Sequence, residues 1–582
     1  MPTITFSHDD LCALVGKELS QEELVALLAC CKGEAEGVDS ETGEVSVSLD
    51  DTNLPYLWSV EGIARLLKGL LGIEQGIPAL PVERKGDSSR QVIVDPSVAS
   101  VRPYLVSFIA KGKALDDYLL KQLIQLQEKF CEGYGRRRQK VSIGLYRSST
   151  LSWPLHYKAV APESVRFVPL EGDGEMDLSE ILATHPKGKE YAWVLAGHKH
   201  YPIFMDASGK VLSFPPIINS DDLGRLETGD TEFLFEATGL DEEAVNLSSA
   251  VFAQALADRG YVIEGVQVQY TDRIVATPVL EAQRIIVSVA DASALLGVAL
   301  DDARMKRLLG KARLGYADGS IVVPAWRHDI MHPVDVIEDI GIAYGFENMG
   351  SLPLTSYTVG RSTPLVAACD KARELCVGLG MQEVFSAMLT SKELLYDKTC
   401  TPDIGTVEIK EYMSETYSVV RSWLLPGLLS VLSKNKHRGY PQHLFEQGAV
   451  TVLEQVGVAK TSKGVKGAGE GGHTVAVDHE KIGIVLCDSV VDYTAARQVA
   501  DVLLRGFGLF GDDGSAVSVM EQDHPLFISG RGAAVMLIGE NGKQGREVGI
   551  IGEVSPEVLA KFGMELPVVA VELDVGALGS LR

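Results

Sequence analysis

The segment WRHDIMHPVDVIEDIGIAYGF, Trp326 to Phe346, places Asp335, Glu338 and Asp339 at i, i+3 and i+4. At about 100° per residue, these three fall within roughly a 100° arc of a helix, and Ile337, Ile340 and Tyr344 take the other side. Pro333 suits the first turn of that helix, and Asp329 on the preceding segment can fold back toward the acidic face. Four clustered carboxylates repel one another unless a cation sits between them, and hard oxygen donors favour Mg²⁺ or Ca²⁺ over zinc. A second reading stands beside this one: acids in a first helical turn are favoured by the helix dipole and can simply face water. His328 and His332 do not make a zinc site, because Pro333 breaks their presentation on one helix and no cysteine is near.

Other reactive residue types are thinly spread. The eight cysteines show no C-x-x-C pair, and Cys369 and Cys376 fall on an apolar helical stripe, so they read as reduced, packed thiols. A formal charge of -25 excludes broad, sequence-independent nucleic-acid binding over the whole surface. The exception is Arg136, Arg137, Arg138 and Lys140, a dense basic patch that reads either as a local RNA contact or as a solvated turn before a strand. His198 and His200 form an H-x-H on a loop and read as exposed. The Gly-rich stretch 462–472 lacks Walker spacing, which argues against phosphate binding.

These residues need several cores to position them. A chain of 582 residues exceeds what one core sustains, and 46% hydrophobic with 23% charged residues is the composition of a globular protein. No run of about 18 apolar residues and no basic n-region are present, so a cytoplasmic protein without membrane contact is expected. The chain opens with a strand Thr3 to Phe6, a helix to Val15, and a helix from Gln21 to Cys30 behind a Ser20/Glu23 capping box. Short strands then follow, in VIVD, LVSFIAKG, KVSIGLY, EYAWVL, YPIFMD and GKVLSFPPII, interrupted by a helix from Asp116 to Tyr134 and closed by one over Glu242 to Asp258. A strand IIVSV, two helices, a strand pair near Gly315 to Pro324 and the acidic helix suggest a winged-helix layout. The spacing of Leu365, Ala368, Cys369, Ala372 and Cys376 predicts the helix that opens the last unit.

Six segments in this order resemble the β subunits of phenylalanyl-tRNA synthetases, in the shorter archaeal and eukaryotic cytosolic form. They are DDTNLPYLWSVEGIARLLKG, GYGRRRQKVSIGLY, VLSFPPIINSDD, RHDIMHPVDVIEDIGIAYGF, RSWLLPGLL with KNKH, and GEVSPEVLAKFGM. The resemblance covers nearly the whole chain. It implies an α+β multidomain protein: an N-terminal α/β domain at 1–90, a B3/B4 editing module at 91–275, a winged-helix-like B5 domain at 276–352, and a class II synthetase-like antiparallel-sheet core at 353–582. That core is expected to lack catalysis, since the nearest candidates for fRxE and GxGxGxxR, Phe445-Glu446-Gln447 and Gly506-Phe507-Gly508, lack the arginines that would clamp ATP.

The resemblance further implies an α2β2 tetramer in which a partner α subunit holds most of the phenylalanine and ATP contacts, with tRNA-Phe as the shared substrate. It makes Asp329, Asp335, Glu338 and Asp339 a Mg²⁺ site at the subunit contact, with Asp339 where Glu is common. It also implies hydrolysis of mischarged Tyr-tRNA, which demands a pocket that recognises a hydroxyl. Glu236, where the family often has Asp, is the expected acceptor, with Thr238 and Gly239 completing the wall. Ser213 and Asn219 would hold the ester and a water, and Arg137, Arg138 and Arg225 the tRNA end. The rival readings are a free-standing editing deacylase and a scaffold subunit with an inactive editing module.

Overall fold

The structure is a computed structural model that describes residues 2–579 apart from 40, 41, 50, 84–89, 457–472, 510–515 and 539–543. The Gly-rich stretch 462–472 and Asp50 therefore lie outside the described residues. The chain forms two compact units, Met1–Pro353 and Leu354–Arg582.

In the first unit, alternation in Thr3–Ser7 buries Ile4 and Phe6, and this strand pairs with Glu44–Leu49, which also pairs with Gly33–Val38. The helix Gln21–Cys30 starts at the expected capping box: Glu23 N–H donates to Ser20 Oγ at 3.2 Å, and Ser20 N–H donates to Glu23 Oε2 at 2.9 Å. The helix Val60–Leu70 is buried on nearly every side, and its glycines allow backbones to touch. A Cβ on Gly69 would lie 2.1 Å from the Lys311 carbonyl oxygen, so glycine there lets this helix press against the helix Asp302–Lys311.

An 11-stranded mixed sheet follows, ordered Ile218–Asn219, Val211–Phe214, Tyr201–Met205, Leu155–Val160, Gln91–Val94, Val262–Gln269, Tyr104–Lys111, Glu232–Gly239 and Val141–Arg147, with two short strands beside Val262–Gln269. The strand Glu232–Gly239 runs antiparallel between Tyr104–Lys111 and Val141–Arg147. Its alternation sends Phe233, Phe235 and Ala237 into the core under the helices Asp117–Glu132 and Glu242–Asp258. Leu234, Glu236 and Thr238 therefore share the other face.

Two strand expectations give way to helices. EYAWVL belongs to the helix Pro186–Tyr191 and the 3₁₀ turn Ala192–Leu195, because Pro186 stands at the helix start and His185 Nδ1 accepts the Lys187 N–H. Of IIVSV only Ile285 is strand, at the end of Gln283–Ile285, since Ser288 caps a helix from Val289. That short strand joins Ser320–Val323 and Gly315–Ala317 in a three-stranded sheet, which packs with the helices Val289–Leu296, Asp302–Lys311 and Pro333–Tyr344 around one apolar core.

The second unit is a seven-stranded sheet ordered Gln382–Glu383, Gln442–Val456, His473–Cys487, Val568–Asp574, Gln544–Val554, Phe527–Ile538 and Val517–Glu521, antiparallel except at the first pair. Helices Pro364–Gly378 and Tyr493–Gly506 cover one face with Ile482, Ile484, Val571 and Leu573. Helices Leu425–Asn435 and Pro556–Lys561 cover part of the other with Val485, Val568 and Ala570. No described helix is long and apolar enough to cross a membrane.

Candidate functional site

Two sites in the first unit gather the residues singled out by the sequence. The larger is a cavity of about 510 Å³ whose lining includes Glu236, Ser213, Asn219, Tyr146, Arg138 and Arg225. Glu236 is 2% exposed, and Tyr146 Oη donates to its Oε2 at 2.7 Å. The same phenol oxygen stands 2.9 Å from Ser213 Oγ. Glu236 Oε1 is buried and has no hydrogen-bond partner among the described residues. Burial pushes the Glu236 carboxyl up to about 7, against the lowering effects of the Tyr146 bond and the Arg102 charge.

This placement follows from the register. Glu236 stands opposite Gly144, and a Cβ on Gly144 would lie 2.0 Å from Tyr146 Oη and 2.8 Å from Glu236 Oε2. Glycine inside that strand is what lets the phenol fold back onto the carboxylate. Asn219 is held by its Nδ2 donating to the Gly224 carbonyl at 3.1 Å.

Thr238 and Gly239 do not complete the wall. Thr238 is fully buried, and its hydroxyl is taken by Arg102 Nε at 3.0 Å and Ser142 Oγ at 3.2 Å. Gly239 lies against Lys140 and Val245, where a Cβ would meet the Lys140 carbonyl at 2.4 Å. Both therefore support the strand beneath the cavity. The arginines also divide. Arg138 is a wall residue: it donates to the Pro216 and Ile217 carbonyls at 3.2 and 2.9 Å and stacks over Tyr191 at 4.1 Å. Arg137 stacks over Trp193 at 5.6 Å outside the lining, and Arg225 is exposed at the rim, 3.8 Å from Asp221. Arg136, Arg137 and Arg138 all have left-handed backbone, with φ of 50°, 53° and 65°. Their N–H groups cap the carbonyls of Gly133, Glu132 and Cys131, which offsets the steric cost of that conformation.

The second site is a small cavity of about 70 Å³ lined by all four acids of the helix Pro333–Tyr344 region together with Lys32 and Arg327. Arg327 is buried and bridges Asp329 and Asp339, with Nη2 2.9 Å from the latter. Lys32 bridges Glu338 at 3.0 Å and Asp51 at 3.1 Å. Asp335 Oδ2 accepts the N–H groups of Met331 and His332 at 2.8 and 2.7 Å. Burial raises the Asp339 carboxyl despite Arg327. The donor set suits a hard cation, yet no three acidic, histidine or cysteine side chains converge on one point among the described residues, because Arg327 and Lys32 supply the countercharge.

Residues 350–575 match the model of the phenylalanyl-tRNA synthetase β chain CLM domain, and residues 285–346 match the tRNA synthetase B5 domain. The phenylalanine–tRNA ligase β subunit of Pyrococcus abyssi is 38% identical over 98% of this chain and 99% of its own. The chain belongs to the phenylalanine–tRNA ligase β subunits. Its relative from Archaeoglobus fulgidus is 35% identical over 99% of this chain and 98% of its own. The crystal structure of an N-terminal fragment of the β subunit from Pyrococcus horikoshii covers 59% of this chain and 100% of the fragment, at 39% identity and a TM-score of 0.57.

As a phenylalanine–tRNA ligase β subunit, the chain is part of an aminoacyl-tRNA ligase with an α+β multidomain fold. In its second unit Glu446 is fully buried and paired with Arg421 at 2.5 Å, and Gly506 packs on Leu375. The residues nearest to ATP-clamping motifs thus serve the core. Sequence reasoning missed Tyr146, Gly144 and Arg102 in this β subunit. The glycine inside KVSIGLY is a readable sign of close approach in a strand, whereas nothing near Arg102 marks it as buried.

Proposed function

We propose that this chain hydrolyses mischarged Tyr-tRNA-Phe in the Glu236 cavity while an α subunit, paired with it as α2β2, activates phenylalanine with ATP. The observation that carries this reading is Glu236, a residue that lines the cavity, is more than nine-tenths buried, and has its Oε1 without a hydrogen bond among the described residues. A tyrosyl phenol O–H donates to it; a phenylalanyl ring leaves it unmet in a site that has already lost water. A pocket built on such an acceptor discriminates far better than an apolar one.

Hydrolysis of an activated ester needs a water and an orienting surface rather than a protein nucleophile. Ser213 and Asn219 line the same cavity and supply hydroxyl and amide groups for that task. Arg138 shapes the wall, and Arg225 at the rim offers a cation to the tRNA end. The functional division of the chain is then 1–90 as the N-terminal domain, 91–275 for editing, 276–352 as B5, and 353–582 as the non-activating core. The cytoplasm is where such a ligase works.

Mg²⁺ is the cation whose chemistry suits the acidic cavity, with Asp335 and Glu338 on its outer side and Asp329 and Asp339 on its inner side, at the contact with the α subunit. When bound it supplies positive charge that ties the two subunits. Lys32 and Arg327 hold the acids in its absence. Asp335→Ala weakens tetramer assembly in magnesium and leaves editing intact in whatever tetramer forms.

The editing reading is tested with the assembled α2β2 enzyme. Glu236→Ala lowers Tyr-tRNA-Phe hydrolysis by about a hundredfold or more and leaves phenylalanine charging unchanged. Normal hydrolysis by that variant would place the specificity elsewhere.

A further inference from the structure

The sheet of the second unit carries a polar face with no assigned work. Lys481 and Asp574 are register partners, and Glu572 lies two residues along the same strand face, while their neighbours Ile482 and Leu573 point into the opposite core. The helix Leu425–Asn435 covers only part of this face. The remainder forms a cavity of about 480 Å³, within the roughly 300–1,000 Å³ usual for small-molecule sites.

The inner acids are satisfied. Glu572 Oε2 accepts the N–H groups of Leu424 and Leu425 at 2.8 and 3.2 Å, and its Oε1 takes Lys481 Nζ at 2.9 Å. Asp574 Oδ2 takes Arg546 at 2.9 Å and lies 3.4 Å from His479 Nδ1. At the mouth, Glu454 and Glu547 meet no lysine or arginine within ion-pair distance among the described residues; Glu454 meets His479 Nε2 at 2.9 Å and Glu547 meets the Gln522 amide at 3.4 Å. The cavity thus carries an excess of negative charge at its mouth.

Two hydroxyl residues mark its interior. Tyr396 and Ser422 line the cavity and are only 5% and 4% exposed; their hydroxyls make no hydrogen bond of full geometry among the described residues and stand near each other and near the Thr406 hydroxyl. A buried hydroxyl short of a partner is destabilising, and a ligand group between the two would supply one. Trp423 and His524 stand edge to face at 6.1 Å along one wall, and burial keeps His524 below the usual imidazole range and therefore uncharged near neutral pH. The wall is an aromatic and apolar surface.

We infer that this cavity binds a small aromatic amine, its flat body against Trp423, its polar inner end at the Tyr396 and Ser422 hydroxyls, and its ammonium at Glu454 and Glu547. The site lies on the sheet of the second unit and is independent of the Glu236 cavity. Its ligand acts as an effector or a passenger of this core, outside the editing reaction.

Calorimetric titration of the full chain tests it with three probes that share one ring: tryptamine, indole and indole-3-propionate. Tryptamine binds saturably at a single site with millimolar or better affinity, and indole-3-propionate binds at least about tenfold more weakly. Glu454→Gln with Glu547→Gln weakens tryptamine by about tenfold and brings it level with indole, and Ser422→Val weakens all three. Both variants are read after their melting temperature and Tyr-tRNA hydrolysis in the complex match the parent. Equal or tighter binding of the propionate, tryptamine binding indifferent to both variants, or no binding of any probe overturns the proposal.

Discussion

Tyr146 Oη stands 2.7 Å from Glu236 Oε2, and this bond divides the two oxygens of one buried carboxylate between structure and recognition. Oε2 is satisfied inside the protein, so Oε1 is left as the buried, unpartnered acceptor of a residue that lines the cavity. Tyr146 is therefore a positioning residue. Tyr146→Phe keeps the ring in its core and removes the donor. The expected result in the α2β2 enzyme is a loss of about tenfold to a hundredfold in Tyr-tRNA-Phe hydrolysis with phenylalanine charging unchanged. Hydrolysis rates at several pH values check it, because the unpaired carboxylate also moves its titration upward.

Glycine at position 144 is a packing requirement of the same pair. A methyl there would stand 2.0 Å from the Tyr146 oxygen of the same strand and 2.8 Å from Glu236 Oε2, where the two side chains already meet. Gly144→Ala should lower stability by about 1–3 kcal/mol and displace the phenol, seen as a lower denaturation midpoint together with weakened editing.

Burial raises the Glu236 carboxyl from its ordinary range near 4.5 to about 7, which has two consequences of opposite sign. Recognition of a phenol by the ionised form makes editing rise with pH through about 7 and level off above it. Stability runs the other way. Between about 4.5 and 7 the folded state binds a proton that the unfolded chain has released, so stability falls as pH rises through this window, by about 3 kcal/mol in total. Glu236→Gln abolishes that component, so the variant gains on the parent as pH rises. Denaturation of both at pH 5 and pH 8 measures the difference, and parallel curves would contradict the assignment.

Arg327 is the countercharge for two carboxylates that have little access to water. Removing it with Arg327→Ala leaves Asp329 and Asp339 without their shared partner and costs about 3–5 kcal/mol. Asp339→Asn in the same chain restores part of that loss, because one of the two buried charges is gone. Melting temperatures of the single and double variants test the coupling.

Much of this architecture was legible in the order of residues because it depends on local rules. The Ser20/Glu23 capping box, the helix Glu242–Asp258 and the helix begun by Pro333 formed where spacing and end signals placed them. EYAWVL went wrong because its apolar run satisfies a strand as well as a short helix, and a proline about one turn earlier decided the matter. At the Glu236 site, the residue was singled out by the family resemblance, while its place in the middle of a strand and the fate of Thr238 were not readable. The Thr238 hydroxyl is claimed by Arg102, which stands just before the paired strand Tyr104–Lys111.

The sequence by itself determined that acids would share one face of a short helix and that the chain would follow the β-subunit pattern, which singled out Glu236. Only the tertiary structure decided how those charges are met. Lys32 reaches Glu338 and Arg102 reaches Thr238 across long stretches of chain, and the same folding leaves Glu236 Oε1 without a hydrogen bond among the described residues. Periodicity and capping are settled within a few residues. Desolvation and charge compensation depend on which distant segments close over a group, so no local pattern encodes them.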